Sequence, residues 1–134
     1  MAVGDEREPD GWSDEEDLKD YRKGGYHPVK LGETFKSHRY RVLNKMGWGH
    51  FSTVWLAMDS HDRSGERPVV LKVQKSAQQY AEAAKDEVTL LLQVAGLGHP
   101  ASEHLVQLLD HFQHRGVHGT HQARSFARLA GRRL

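Results

Sequence analysis

Nothing in this chain restricts its fold more than the run Met46-Gly47-Trp48-Gly49-His50-Phe51-Ser52-Thr53-Val54. Two glycines stand two apart, and Ser52 occupies the place where a third glycine would complete G-x-G-x-x-G. Tyr40-Arg41-Val42-Leu43 precedes the run and Val54-Trp55-Leu56-Ala57 continues it, so strand-forming residues flank the turn on both sides. The pattern predicts strand, glycine turn, strand. Such a turn lets backbone N–H groups approach phosphate oxygens with no Cβ in the way. The dinucleotide version of the motif opens a helix. Here the β-branched and aromatic Thr53-Val54-Trp55 favours a G-x-G-x-x-G-x-V hairpin lying over nucleotide phosphates instead. An ordinary β-hairpin with glycines for tight geometry reads the segment equally well.

The length of 134 residues suits one domain. A formal net charge of +1 gives no global case for nucleic-acid or membrane binding. The charge is uneven, however. Nine acids lie in residues 1–20 against Arg7 and Lys19, while residues 122–134 carry Arg124, Arg128, Arg132 and Arg133 and no acid. The absence of cysteine excludes a disulfide frame and thiolate chemistry. With no secretory signal and no membrane-spanning run, an intracellular, soluble chain is expected.

Taken in order, residues 1–20 are too acidic and too poor in apolar groups to offset ordering entropy, and a disordered arm is expected. Residues 21–35, with Gly24-Gly25-Tyr26-His27-Pro28-Val29, read as an extended segment laid on a domain surface. Strands are expected over about 40–45, 52–58 and 68–74. In the last of these, alternation puts Val70 and Lys72 on one face and Val69, Leu71 and Val73 on the other. A lysine among branched residues either snorkels to the edge or awaits an anion. Ser76-Ala77-Gln78-Gln79 has capping-box spacing, and a helix is expected to about Val94. Its apolar stripe is Tyr80, Ala84, Val88, Leu91 and Ala95, and Glu87 falls on the inward side between Tyr80 and Leu91. A buried carboxylate needs a cation, so Glu87 and Lys72 are candidate partners; the alternative places Glu87 at the stripe's margin in water. Gly96 and Pro100 stop the helix. A fourth strand is expected over about 104–112 and a hairpin turn over 113–119. A fifth strand should then begin near Thr120, but residues 122–134 carry helical spacing or read as a frayed tail. His111, His114, His118 and His121 invite a metal reading. Without cysteine or H-E-x-x-H, and among turn residues, a zinc site is not expected there.

The order glycine hairpin, Val-Val-Leu-Lys strand, helix with Glu87, then another strand is that of a protein-kinase small lobe. Closer still, Gly24 to Val29, Gly47 to Leu56, Lys75-Ser76-Ala77, Asp86-Glu87, Val106 to Asp110 and Gly119-Thr120-His121 resemble the SR-protein kinases. These are serine/threonine kinases that phosphorylate arginine-serine-rich domains of splicing factors. The resemblance covers about Trp12 to His121. It implies an α+β small lobe: a twisted antiparallel sheet of about four strands packed on one helix, with disordered ends. It implies ATP under the loop from Met46 to Val54, with Met46 and Val54 bracketing adenine and ribose and Val70 beneath the base. Lys72 resembles the lysine that grips the α/β-phosphates, and Glu87 the glutamate that pairs with it. Mg²⁺ and arginine-serine-rich substrates are implied too, with a monomer in cytoplasm and nucleus and no direct nucleic-acid or membrane contact. The departures are large. The chain has no His-Arg-Asp, no Asp-Phe-Gly and no Ala-Pro-Glu, so it lacks the family's catalytic loop and metal ligands. The expected organisation is an acidic arm (1–20), a partial lobe (21–121) and a divergent Arg-rich tail (122–134) on a truncated kinase, inactive alone. A non-catalytic adaptor binding through its charged ends is the second reading.

Overall fold

The structure, a computed structural model, describes residues 15–62, 65–96 and 107–127. Six strands form one antiparallel sheet: β1 (Thr34–Phe35), β2 (Tyr40–Trp48), β3 (Ser52–Asp62), β4 (Gly65–Gln74), β5 (Leu108–Gly116) and β6 (Gly119–Ala127). Their spatial order is β1-β2-β3-β4-β6-β5. One helix, α1 (Gln78–Gly96), follows β4 and packs against β4, β5 and β6.

The period of two along each strand decides which side chains are buried. Tyr40 and Val42 of β2 point inward while Arg41 is exposed. Trp55 and Ala57 of β3 and Val69, Leu71 and Val73 of β4 join Tyr40, Val42 and Phe35 in the core, with Val29, Leu109 and Phe112 packed against it. On the opposite face of β4, Val70 lies across from Phe126 and Lys72 across from Arg124 of β6. Polar groups knit the sheet as well. Arg39 donates to both oxygens of buried Asp59 at 2.9 and 3.0 Å. Asp110 accepts from Lys36 and from the Tyr40 hydroxyl at 2.7 and 2.9 Å. The Tyr40 hydroxyl also lies 3.0 Å from the Ser125 hydroxyl, tying β2 to β6.

Four expectations change. The sheet has six strands among the described residues rather than about four. The fifth core strand does arrive: β6 runs past His121 to Ala127, in the middle of the sheet between β4 and β5. Residues 122–127 are therefore strand and not a tail or helix. The open hydrogen-bonding edge of β4 recruits them, and strand pairing overrides local helical spacing. Ser76 does not cap α1: the helix begins at Gln78, and the Ser76 hydroxyl instead donates to the His118 carbonyl at 2.8 Å. The acidic arm, finally, is not loose where it is described. Glu16 is buried, accepts Lys45 Nζ at 2.6 and 2.7 Å, and accepts the Tyr21 hydroxyl. Burial acts to raise this carboxyl, but the bonds from Lys45 and Tyr21 outweigh it and hold it below its ordinary range. Residues 1–14 and 128–134, the rest of the expected arm and tail, lie outside the described residues, as do residues 104–106 of the expected fourth strand.

Candidate nucleotide-binding site

The glycine run forms the β2–β3 turn. Gly47 pairs with Val54 and Trp48 with Thr53, and the Gly49 N–H donates to the Ser52 carbonyl at 2.7 Å. A Cβ on Gly47 would meet nothing within 4 Å, and one on Gly49 would meet only the Ser52 carbonyl at 4.0 Å. Packing within the chain therefore does not demand glycine at either position. The bare backbone at both positions leaves room for close approach by a ligand. Met46, Trp48, His50 and Phe51 are exposed or nearly so along this turn, while Ser52 and Thr53 are buried. The Thr53 hydroxyl accepts the Trp55 indole N–H at 2.9 Å, so Thr53 faces the core and leaves only its backbone for the loop.

The extended segment before β1 braces this turn. The Tyr26 hydroxyl donates to the Gly49 carbonyl at 2.5 Å. Burial pushes the Tyr26 phenol up to about 12, so it remains a donor at neutral pH. The Lys75 N–H donates to the Phe51 carbonyl at 2.7 Å, and the Lys75 ammonium stands over the Tyr26 and Tyr80 rings at 4.6 and 5.3 Å. Such cation–π contacts add stabilisation of about 0.5–2 kcal/mol each. The segment fits because Gly24 and Gly25 accept the Ala77 and Ser76 N–H groups at 2.9 and 3.1 Å. Gly25 has no alternative, since a Cβ there would lie 2.0 Å from the Asp20 carbonyl oxygen.

Lys72 sits directly across from Val54, at the inner end of the glycine turn. Its Nζ lies 3.8 Å from Glu87 Oε2 and 5.6 Å from the centre of the Phe126 ring. Strand and helix thus bring the two charges together across fifteen positions (87 − 72 = 15). Glu87 is neither buried nor free in water, with its side chain 37% exposed and that of Lys72 33% exposed. Sequence reasoning missed a third member. Arg124, 3% exposed, forms an ion pair with Glu87 Oε1 and donates to Gln74 Oε1 at 2.7 Å. Two cations therefore share one carboxylate. Burial, and then the Arg124 charge, pull the Lys72 ammonium below its ordinary value. Burial pulls the Arg124 guanidinium down to about 10. No local signal marks Arg124, because only β6 pairing places it opposite Lys72. Val70 is buried opposite Phe126 and offers little open surface.

Comparison with known proteins gives these features a family. No protein-family model matches the chain. A serine/threonine-protein kinase SRPK of Physarum polycephalum is 52% identical over 123 residues, which is 91% of this chain and 28% of that protein. Protein kinase dsk1 of Schizosaccharomyces pombe is 49% identical over 80% of this chain and 20% of its own length. SRSF protein kinase 3 of Homo sapiens is 52% identical over 81% of this chain and 19% of its own length. The chain thus spans less than a third of each of these relatives. A kinase domain of known crystal structure superposes with a TM-score of 0.62 at 20% identity, covering 76% of this chain and 27% of that domain's chain, a likeness of fold. The sheet of antiparallel strands with one packed helix is that of a kinase small lobe. With about half of the matched positions identical in kinases from slime mould, yeast and human, the chain over this stretch is a small-lobe segment of the SR-protein kinase family.

Proposed function

We propose that the chain is the ATP-gripping lobe of a serine/threonine protein kinase acting on arginine-serine-rich proteins, and that alone it binds nucleotide weakly and transfers no phosphate. One observation carries the reading: Lys72 stands beside the glycine turn with Glu87 3.8 Å away. In phosphoryl transfer the protein's contribution is mostly positioning and charge stabilisation, and a lysine held by a helix glutamate is one of the required parts. The residues present fit a nucleotide's phosphates, since the backbone carries no Cβ at Gly47 and Gly49 and the partly exposed Lys72 ammonium lies at the inner end of the same turn. Met46 and Val54 would supply apolar contact for the base and sugar. Nucleotide supplies the transferable phosphoryl group. Lys72 holds oxygen charge, Glu87 orients Lys72, and Tyr26 steadies the turn.

Mg²⁺ does not fit the described residues here. Glu87, the carboxylate of this site, already faces two cations, and no step is drawn through a metal ion. The inactive half of the proposal is supported by Arg124, which competes with Lys72 for Glu87. The test uses a fluorescent ATP analogue for binding, and labelled ATP with an arginine-serine peptide for transfer, on the chain and on Lys72→Met. Weak binding is expected, about tenfold weaker in the variant, the scale of one lost charged hydrogen bond. No transfer is expected. Equal binding by Lys72→Met would overturn the assigned grip. Transfer that depends on Lys72 would overturn the inactivity.

A further inference from the structure

We propose that His27, Glu33 and His114 form a binding site for a divalent transition-metal ion of the zinc class, which fastens the segment before β1 to the β5–β6 hairpin. Nε2 of His27 lies 2.7 Å from Glu33 Oε2, and Nε2 of His114 lies 3.5 Å from the same oxygen. All three ligand atoms fall within 4.8 Å of one another. Zinc bonds of roughly 2.0–2.2 Å in tetrahedral geometry separate neighbouring ligands by about 3.3 Å. The widest pair therefore has to close by about 1.5 Å at most. Two imidazoles and a carboxylate are a donor set that zinc takes readily, with one coordination position left over.

The surroundings are those of a built site. Glu33 Oε1 accepts the Lys30 N–H at 3.0 Å, an outer bond that fixes the carboxylate. The buried Phe35 ring packs on both imidazoles, with centroids 4.1 Å from His114 and 6.0 Å from His27, forming an apolar wall. A groove lined by Pro28, Lys30, Leu31 and Val117 borders His27 and Glu33 and gives an entry path. A second observation is independent. The His121 ring, 5.2 Å from that of His27, gives its Nδ1 hydrogen to the Gln74 carbonyl at 2.8 Å. Its Nε2 is then a bare lone pair, and it is buried with no hydrogen-bond partner among the described residues. An unpartnered imidazole nitrogen thus belongs to the ring next to His27.

Binding would replace the His27 proton that now bridges to Glu33. The ligands are far apart in sequence (114 − 33 = 81), so the ion would close a long loop. It would also anchor the residue next to Tyr26, whose hydroxyl holds the glycine turn. The site uses neither Lys72 nor Glu87 and stands apart from the nucleotide reading.

The test titrates the chain with Zn²⁺ alone, by calorimetry and thermal melting, with Co²⁺ as a spectroscopic stand-in and Mg²⁺ as control. The variants are His114→Gln and Glu33→Gln, with the exposed His61→Gln as reference and circular dichroism to establish folding. One zinc per chain, a raised melting temperature and the intense visible bands of tetrahedral Co²⁺ are expected. Each cluster variant should bind about 100-fold more weakly or worse, since even outer-shell losses cost 10–100-fold. His61→Gln should match the parent. No 1:1 binding, or affinity unchanged in both cluster variants, overturns the site. If one variant does not fold, the other decides together with the Co²⁺ spectrum of the parent chain.

Discussion

An Arg124→Met substitution is expected to leave the stability of the chain nearly unchanged although it removes an ion pair. Burial lowers the guanidinium from 12.5 to about 10. Below pH 10 both folded and unfolded states carry the proton, so the folded state bears the whole cost of the buried charge. At 1.36 kcal/mol per pH unit this is about 3 kcal/mol. Against it stands the lost pair with Glu87. That carboxylate is 37% exposed and keeps Lys72 as partner, so the loss is about 1 kcal/mol. The lost charge-assisted bond leaves Oε1 of buried Gln74 without a donor and removes about 2 kcal/mol more. The balance is close to zero, with methionine packing a similar volume without charge. The melting temperature is therefore expected to stay within about 4 °C of the parent's, the shift that about 1 kcal/mol produces in a domain of this size. The same change removes the cation facing Lys72, so the Lys72 amine should titrate at higher pH than in the parent chain while remaining below its ordinary value. Thermal and urea melts read the first effect, and NMR titration of the Lys72 side chain reads the second. A melting temperature lower by more than about 4 °C with an unmoved Lys72 would show that the Arg124–Glu87 pair, not burial, dominates this site.

Tyr26→Phe should loosen the glycine turn by about 1 kcal/mol, the net value of one hydrogen bond. Hydrogen exchange at the Gly49 amide should then speed up about fivefold, and unchanged protection would count against the brace. Acid should weaken the sheet through Asp59 and Asp110. Burial acts to raise both carboxyls, but Arg39 for Asp59, and Lys36 with Tyr40 for Asp110, outweigh it and hold both below the ordinary 3.8. A lowered carboxyl contributes stability above its unfolded value, and that contribution disappears as pH falls through the folded one. Arg39→Met should cost about 3 kcal/mol at pH 7 by leaving buried Asp59 with only the His61 N–H and the Arg67 charge to offset its burial. The gap to the parent in urea midpoint should narrow toward pH 3, once Asp59 is protonated. A gap that stays constant from pH 7 to pH 3 would refute the assignment.

Local pattern was enough for the first half of the lobe. The glycine turn with strand formers on both sides, the alternation of Val69, Leu71 and Val73 against Val70 and Lys72, and the four-and-three spacing of α1 each lie within one element. Period two and period 3.6 therefore announce them directly. The approach of Lys72 and Glu87 was legible because each element exposes its face in the sequence and the two elements are adjacent in the chain. What escaped was decided by pairings between distant residues. Residues 122–127 carry helical spacing in isolation, yet the open edge of β4 makes them a central strand and sets Arg124 against Glu87. Glu16 reads as part of a solvated acidic arm until Lys45 and Tyr21 close around it. The four histidines from His111 to His121 suggested a local cluster, and His114 does pair with His121 across the β5–β6 hairpin, but His27 and Glu33 reach His114 only from the distant segment before β1. A chain states its own periodicity, whereas the partner of a charge or an imidazole is fixed only when the sheet is assembled.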